Sequence, residues 1–427
     1  MKHSFAERVV AVQLGNCRLY VLPLAVEQVV TLRGSFLAWP DVAAGDLLRQ
    51  RLTVSMLDRG TAQRDRFELA RLLEDRGAHV GFGSRGLRIE FTGRMLRRHV
   101  PDVLPLIAEQ LRTPRFDPEE FEKVRRQLEA QLKQALEQTA TRARVALSQR
   151  LYSPAHPNYG LDPREALTRL AELTLEDVKT YHATHFGANE LTLVLVGQIQ
   201  PEAVVPLVER FFADWALHAA TPCFTAAAAP QPPGRELIYV PDRQNLDVCL
   251  GHAVPLRRQD PDYLPLYVGT YILGGNFSAR LMATVRDERG LTYWIHAGLE
   301  GINTLHDGHF QIDVTLSRDQ LEEGLKATLA EVRRFVAEGV TEAELAEKKD
   351  TLTGLFQTGL STTGGLATAL LINIERGFGP AYLDRYPEEI RALTRSQVNE
   401  AVARYLKPDM LHTVIAGSIR APQDAVL

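Results

Sequence analysis

The apolar positions of residues 173–199 recur, without a gap, in residues 393–419. Leu173, Val178, Phe186, Leu191, Val194 and Ile199 of the first stretch fall on Leu393, Val398, Leu406, Leu411, Val414 and Ile419 of the second. Each copy opens on a threonine suited to a helix N-cap (Thr174, Thr394), continues as a helix and a turn, and closes in an apolar strand ending Gly-x-Ile. Other pieces repeat at a similar offset. Asp117–Glu122 opens a long helix predicted over 118–138, as Thr341–Leu345 opens one later, and the strand Val29–Leu32 matches Asp247–Leu250. A repeat of this length means two homologous halves of about 210 residues each. Within a half, strands come first, then helices, then a closing strand. That order predicts an α+β fold of two αβ domains, each an antiparallel sheet packed with helices, rather than a doubly wound parallel sheet.

The join is legible as composition. Thr221 to Gly234 holds an alanine run and four prolines, the chain's only low-complexity stretch, and reads as a semi-stiff linker. The expected organisation is therefore a domain over 1–220, a linker over 221–234 and a second domain over 235–427. Charge changes little in this picture. With 49 basic against 53 acidic residues, the balance gives no electrostatic case for nucleic acid or an anionic membrane surface. The cluster Arg94, Arg97, Arg98 and His99 reads as a solvated helix face. Cys17, Cys223 and Cys249 are too far apart for a CxxC site and odd in number, so they read as small apolar fillers. No run of 18 apolar residues is present to span a membrane, and the first residues, Met1 to Arg8, lack a signal-peptide core. As written, the chain would be cytoplasmic; a leader removed upstream would make it periplasmic.

The chemistry-bearing tract runs from Leu273 to Tyr293. It contains Gly274-Gly275-Asn276-Phe277-Ser278-Ala279-Arg280-Leu281, followed by Arg286-Asp287-Glu288-Arg289-Gly290-Leu291-Thr292-Tyr293. Arg289-Gly290-Leu291 reads as a helix stopped by glycine and running into a strand. That arrangement aims a guanidinium and a phenol at one place, which suits holding a carbonyl oxygen. Gly274 to Ser278 read as a strand-to-helix turn with Ser278 near the N-cap, Arg280 as a helix-face charge, and Arg289 as one half of a structural ion pair.

With the two homologous halves, this tract resembles the pitrilysin/insulysin family of zinc metallopeptidases, which includes the mitochondrial processing peptidase and the core proteins of the bc1 complex. The resemblance covers essentially the whole chain and implies a half clam-shell of two αβ domains. In the family one half carries His-x-x-Glu-His on an early helix, with a distant glutamate as third ligand. Here the segment before Met56-Leu57-Asp58-Arg59-Gly60-Thr61, which resembles the family's stretch after the zinc helix, reads Arg51-Leu52-Thr53-Val54-Ser55. Arg51 and Ser55 stand at the histidine positions and Val54 at the glutamate; the distant ligand falls near Gln131, with Glu129 the nearest acid. Neither arginine nor valine ligates zinc or serves as a base, so no metal is expected in this chain. His182-Ala183-Thr184-His185 lies at a helix end without an acid between, and reads as a surface feature. His306 and His309 read as a turn into the alternating strand Phe310–Val314.

The resemblance thus implies the zinc-free subunit of a heterodimeric endopeptidase acting on unfolded peptides, with zinc carried by a homologous partner. Tyr293 is expected to stabilise the oxyanion, Arg286 to hold the substrate backbone, and Gly274, Gly275, Asn276, Phe277 and Ser278 to line the substrate's path. A catalytically inert scaffold resembling the core proteins, and the C-terminal half of a longer single-chain peptidase, are the alternatives. Self-pairing is open to the isolated chain.

Overall fold

The computed structural model describes residues 4–25, 28–218 and 221–419; the extremities of the expected domains, residues 1–3, 219–220 and 420–427, lie outside them. The strands are β1 (Val10–Leu14), β2 (Cys17–Pro23), β3 (Val29–Leu37), β4 (His79–Arg85), β5 (Arg88–Leu96), β6 (Thr192–Gly197), β7 (Arg235–Tyr239), β8 (Asn245–Val254), β9 (Thr292–Glu300), β10 (Gly308–Ser317) and β11 (His412–Gly417). They form two sheets, ordered β1-β2-β6-β3-β5-β4 and β7-β11-β8-β10-β9. Apart from β1, both follow one rule. The half's first strand lies beside its last, then come the second, fourth and third. The first and last strands pair in parallel, as β2 with β6 and β7 with β11, and the other pairings are antiparallel. The duplication read from sequence is thus a duplication of topology, and the α+β class holds with one parallel pairing in each sheet.

The capping signals appear as expected. Thr174 accepts the Asp177 N–H while the Asp177 carboxylate accepts the Thr174 N–H, and Thr394 and Gln397 repeat this capping box on the later helix.

The compact units are not the contiguous halves expected. One comprises residues 1–130, 168–223 and 355–387, the other 131–167, 224–354 and 388–427. The reason lies in the closing strands. Every residue of β6 is buried, so both of its faces need cover. In the first unit Leu193 and Leu195 join a core with the helices Val100–Arg112 and Pro201–Phe212. On the opposite face, Leu22, Val194 and Val196 pack beneath Leu366, Leu370, Leu371 and Ile374 of the helix Thr363–Glu375. In the second unit the same place, over Cys249, Val414 and Ala416, is filled by Ala143, Ala146, Leu147 and Leu151 of the helix Thr139–Leu151. Each sequence half therefore supplies the helix that covers one face of the other half's sheet.

The residues read as a linker are bound to the second unit from Phe224 onward. The N–H groups of Thr225, Ala229 and Gln231 donate to the carbonyls of Ala155, Leu151 and Arg150 at 2.9–3.1 Å. Among the described residues no single helix is long and apolar enough to cross a membrane.

Candidate functional site

The tract expected to carry chemistry lies wholly in the second unit, between the helix Tyr263–Gly274 and the edge strand β9. Gly274 is the last residue of that helix and Gly275 its C-cap in right-handed helical conformation, so the turn joins two helices, not a strand to a helix. The glycines are needed for space. A Cβ on Gly274 would lie 2.5 Å from the backbone nitrogen of Ala297 in β9, and one on Gly275 2.3 Å from the Tyr271 ring. Ser278 makes no N-cap bond; the buried Lys348 ammonium instead donates to its hydroxyl and, at 3.3 Å, to its carbonyl. This tether leaves Phe277 72% exposed, with the Arg286 guanidinium 5.7 Å from its ring centroid.

Arg280 is more than a face charge. It grips Glu344 bidentately at 2.5 and 2.8 Å and the Gly339 carbonyl at 2.8 Å. Its hydrogen bonds hold the Glu344 carboxyl down to about 2. Arg289, expected in a structural ion pair, is exposed and makes none among the described residues.

Arg286 sits on a π-helix, Met282–Glu288, whose wider turn is unusual and recurs at functional positions. The stop is the predicted glycine. Gly290 takes φ +63°, its N–H reaches the Arg286 carbonyl, and Leu291 reaches that of Val285. The Arg286 guanidinium lies 3.3 Å from the neighbouring Asp287 carboxylate and remains partly open. Tyr293 follows at the start of β9, where the ladder with β10 slips by one residue. Its ring is 89% exposed, and its hydroxyl has no hydrogen-bond partner among the described residues. Trp294 beside it stacks on His296 at 6.0 Å. A phenol with no acceptor among the described residues and a half-open guanidinium resting on the exposed Asp287 carboxylate stand one on each side of Gly290. They suit an anionic or carbonyl oxygen from outside.

The positions that resemble the family's metal helix lie in the first unit on Asp46–Val54. Val54 is a core residue at 5% exposure, and the Ser55 hydroxyl donates to the Arg51 carbonyl at 2.9 Å. Burial lowers Arg51 from its ordinary pKa, and a guanidinium is no metal donor. Gln131 lies exposed on the helix Pro118–Glu137. This donor set does not fit zinc, and among the described residues no group of three or more His, Cys, Asp or Glu is placed to hold a metal.

The other histidine motifs are structural. His182 and His185 bond the Leu111 and Ala38 carbonyls at 2.8 and 2.7 Å, burying more of each ring than a surface role requires. His306 precedes β10 and His309 lies within it, both buried. Sequence reading missed their neighbour His156, fully buried and 3.1 Å from Asp307, because no local spacing links residues so far apart. It missed Lys348, which reaches Ser278 from seventy residues away, for the same reason.

Comparison with known proteins gives the chain its family and its fold relatives. Residues 172–352 match the model of the peptidase M16 inactive domain, and residues 52–160 that of the insulinase (peptidase family M16) domain. A relative in Helicobacter pylori described as "non-peptidase homolog YmxG" is 23% identical, over 71% of this chain and 69% of its own length. One in Bacillus subtilis, "uncharacterized zinc protease YmxG", is 22% identical over 86% and 88%. The crystal structure of a peptidase M16 inactive domain from Pseudomonas fluorescens shares the fold, with TM-score 0.86 and 24% identity over 97% of this chain and 99% of that one. The inactive-domain match and the non-peptidase relative fit a chain that binds no zinc. With two αβ modules of one strand order and both M16 family models matched, the chain belongs to the M16 (insulinase, or pitrilysin) peptidase family as an inactive member.

Proposed function

We propose that this chain is the zinc-free subunit of a heterodimeric metalloendopeptidase that cleaves unfolded peptides. The observation that carries the reading is Tyr293, a fully presented phenol with no partner among the described residues, set one glycine turn from Arg286. A fold that needed the phenol for its own stability would have buried it or bonded it. Tyr293 donates its O–H to the oxyanion that forms when a peptide carbonyl is attacked. Arg286 holds a neighbouring substrate carbonyl, and Phe277, with Asn276 and Ser278 beside it, borders the substrate's path, while the buried Gly274 and half-buried Gly275 give the turn the space it needs. The attacking water and the metal that activates it belong to a zinc-bearing homologous partner, since Arg51, Val54, Ser55 and Gln131 provide neither ligand nor base.

The description of the Helicobacter pylori relative as a non-peptidase homologue favours a second reading, an inert scaffold. One experiment separates the two. Zinc content and cleavage of a quenched extended peptide are measured for this chain alone and mixed with a family member carrying His-x-x-Glu-His. The complementing reading expects neither zinc nor cleavage alone, and cleavage on mixing that falls in Tyr293→Phe and Arg286→Ala. No gain with any such partner, or a gain indifferent to both substitutions, leaves the scaffold.

A further inference from the structure

Between Ile295, which faces Val314, and Thr292, which faces Leu316, the strand β9 contains one residue more than β10. Tyr293 and Trp294 thus stand opposite Thr315 alone, a β-bulge at the start of an edge strand. Without it, strict alternation would turn Tyr293 to the same face as Ile295 and Ala297, which are 2% and 0% exposed. The bulge breaks that alternation, and the ring emerges into solvent.

One side chain closes the bulge. The Thr292 hydroxyl lies 2.7 Å from the Thr315 carbonyl and 2.9 Å from that of Trp294, where it donates, and it accepts the Trp294 N–H at 3.1 Å. It takes the place of the main-chain partners that the slipped ladder withdraws. Thr315 is itself fixed, because its hydroxyl donates to Asp247 of β8 at 2.7 Å and the other Asp247 oxygen accepts the Thr139 hydroxyl at 2.5 Å. We infer that Thr292 is the positioning residue for Tyr293, its hydroxyl holding the bulge that aims the phenol at the reacting carbonyl. The inference rests on the oxyanion role proposed for Tyr293. Nothing in the Arg-x6-Tyr spacing points to Thr292, whose part appears only once β9 is laid against β10.

The test compares Thr292→Val, which keeps the β-branched shape without the hydroxyl, with Thr292→Ser, which keeps the hydroxyl. Each is mixed with the zinc-bearing partner on the quenched peptide, beside wild type and Tyr293→Phe. Amide hydrogen exchange of Trp294 is followed in this chain alone. The inference expects Thr292→Val to lower kcat by about tenfold to a hundredfold, as small misplacements of catalytic groups do, with KM within about twofold. It also expects the Trp294 amide to exchange about fivefold faster or more, as loss of one hydrogen bond implies, while β10 stays protected. Thr292→Ser should stay near wild type in both. An unchanged kcat in Thr292→Val where Tyr293→Phe lowers it, or a loss shared equally by Thr292→Ser, overturns the inference. If Tyr293→Phe itself changes nothing, the oxyanion reading has failed. The exchange data then decide the remainder, and a Trp294 amide still protected in Thr292→Val shows that the hydroxyl does not hold the bulge.

Discussion

The Tyr293 phenol satisfies no partner among the described residues, so removing its oxygen leaves the fold as it was. Tyr293→Phe should therefore cost stability less than about 0.5 kcal/mol, the usual range for such surface changes. In the complemented enzyme its kcat should fall by about 10² to 10³, the cost of losing one oxyanion donor. Arg286→Lys keeps the charge but loses the planar fork, so it should raise KM more than it lowers kcat; steady-state kinetics on the mixture separate the two. His309 shows the opposite relation between a side chain and the fold. The Tyr152 O–H, kept protonated by burial, donates to His309 Nδ1 at 2.8 Å, and His309 Nε2–H donates to Gln311 Oε1 at 2.9 Å. Gln311 Nε2 then donates to Asp313, which also receives Arg144. The chain works only while the imidazole is neutral, and burial pushes His309 down to about 4, with His252, His306 and His412 also lowered. A histidine with a depressed folded pKa stabilises fully above its unfolded value of about 6.5. That contribution is lost as pH falls through 6.5 toward the folded value. The melting temperature should thus drop steadily between about pH 6.5 and pH 4. His309→Gln should lower it at pH 7 but flatten its slope across that window; an unchanged slope would show that His309 takes up no proton on unfolding.

Gly274 and Gly290 read alike in sequence and act differently as ends of elements. Gly290 was legible because a helix stop in the left-handed region is local chemistry, and the φ of +63° is the one expected. Gly274 was misread as part of a strand-to-helix turn, because its requirement is the passage of β9 behind it, a contact no window of sequence contains. The two should fail differently. Gly290→Ala meets no atom within 4 Å and incurs only the left-handed penalty, about 1–2 kcal/mol. Gly274→Ala drives a methyl into the backbone of Ala297, an overpacking that costs about 1–3 kcal/mol or more and shifts the helix Tyr263–Gly274 against β9. Urea unfolding of the two variants measures this, Gly274→Ala being the less stable. The π-turn under Arg286 and the bulge under Tyr293 were equally hidden. Each inserts one residue into a regular element, which the Arg-x6-Tyr spacing records as a number without revealing its cause.

The repeat made both sheets legible, because strand alternation and threonine caps are written within short windows, whereas the exchange of helices between the halves is not. Leu366, Leu370, Leu371 and Ile374 form a plain apolar helix face, and nothing in their pattern says which sheet it covers. The Pro- and Ala-rich stretch marks one junction, and the compact units do change over there, between Cys223 and Phe224, but they also change over inside helices, among them the long Pro118–Glu137 and Glu342–Gly359. A division at the apparent linker therefore takes from each unit the helix over its closing strand. Burying those four side chains is worth about 1.5–3 kcal/mol apiece. That sum rivals the whole stability of a typical domain, about 5–15 kcal/mol. Expressed separately, residues 1–220 and 235–427 should each lack a cooperative melting transition, since β6 and β11 would present an uncovered apolar face. Co-expressed, they should associate and recover a transition near that of the intact chain, because the helices Thr139–Leu151 and Thr363–Glu375 can be exchanged between chains as they are within one. Calorimetry on the separate and co-purified halves decides the matter. A half that melts cooperatively by itself would mean that the sheet tolerates its bare face, and that the exchanged helix is an addition to a domain already complete.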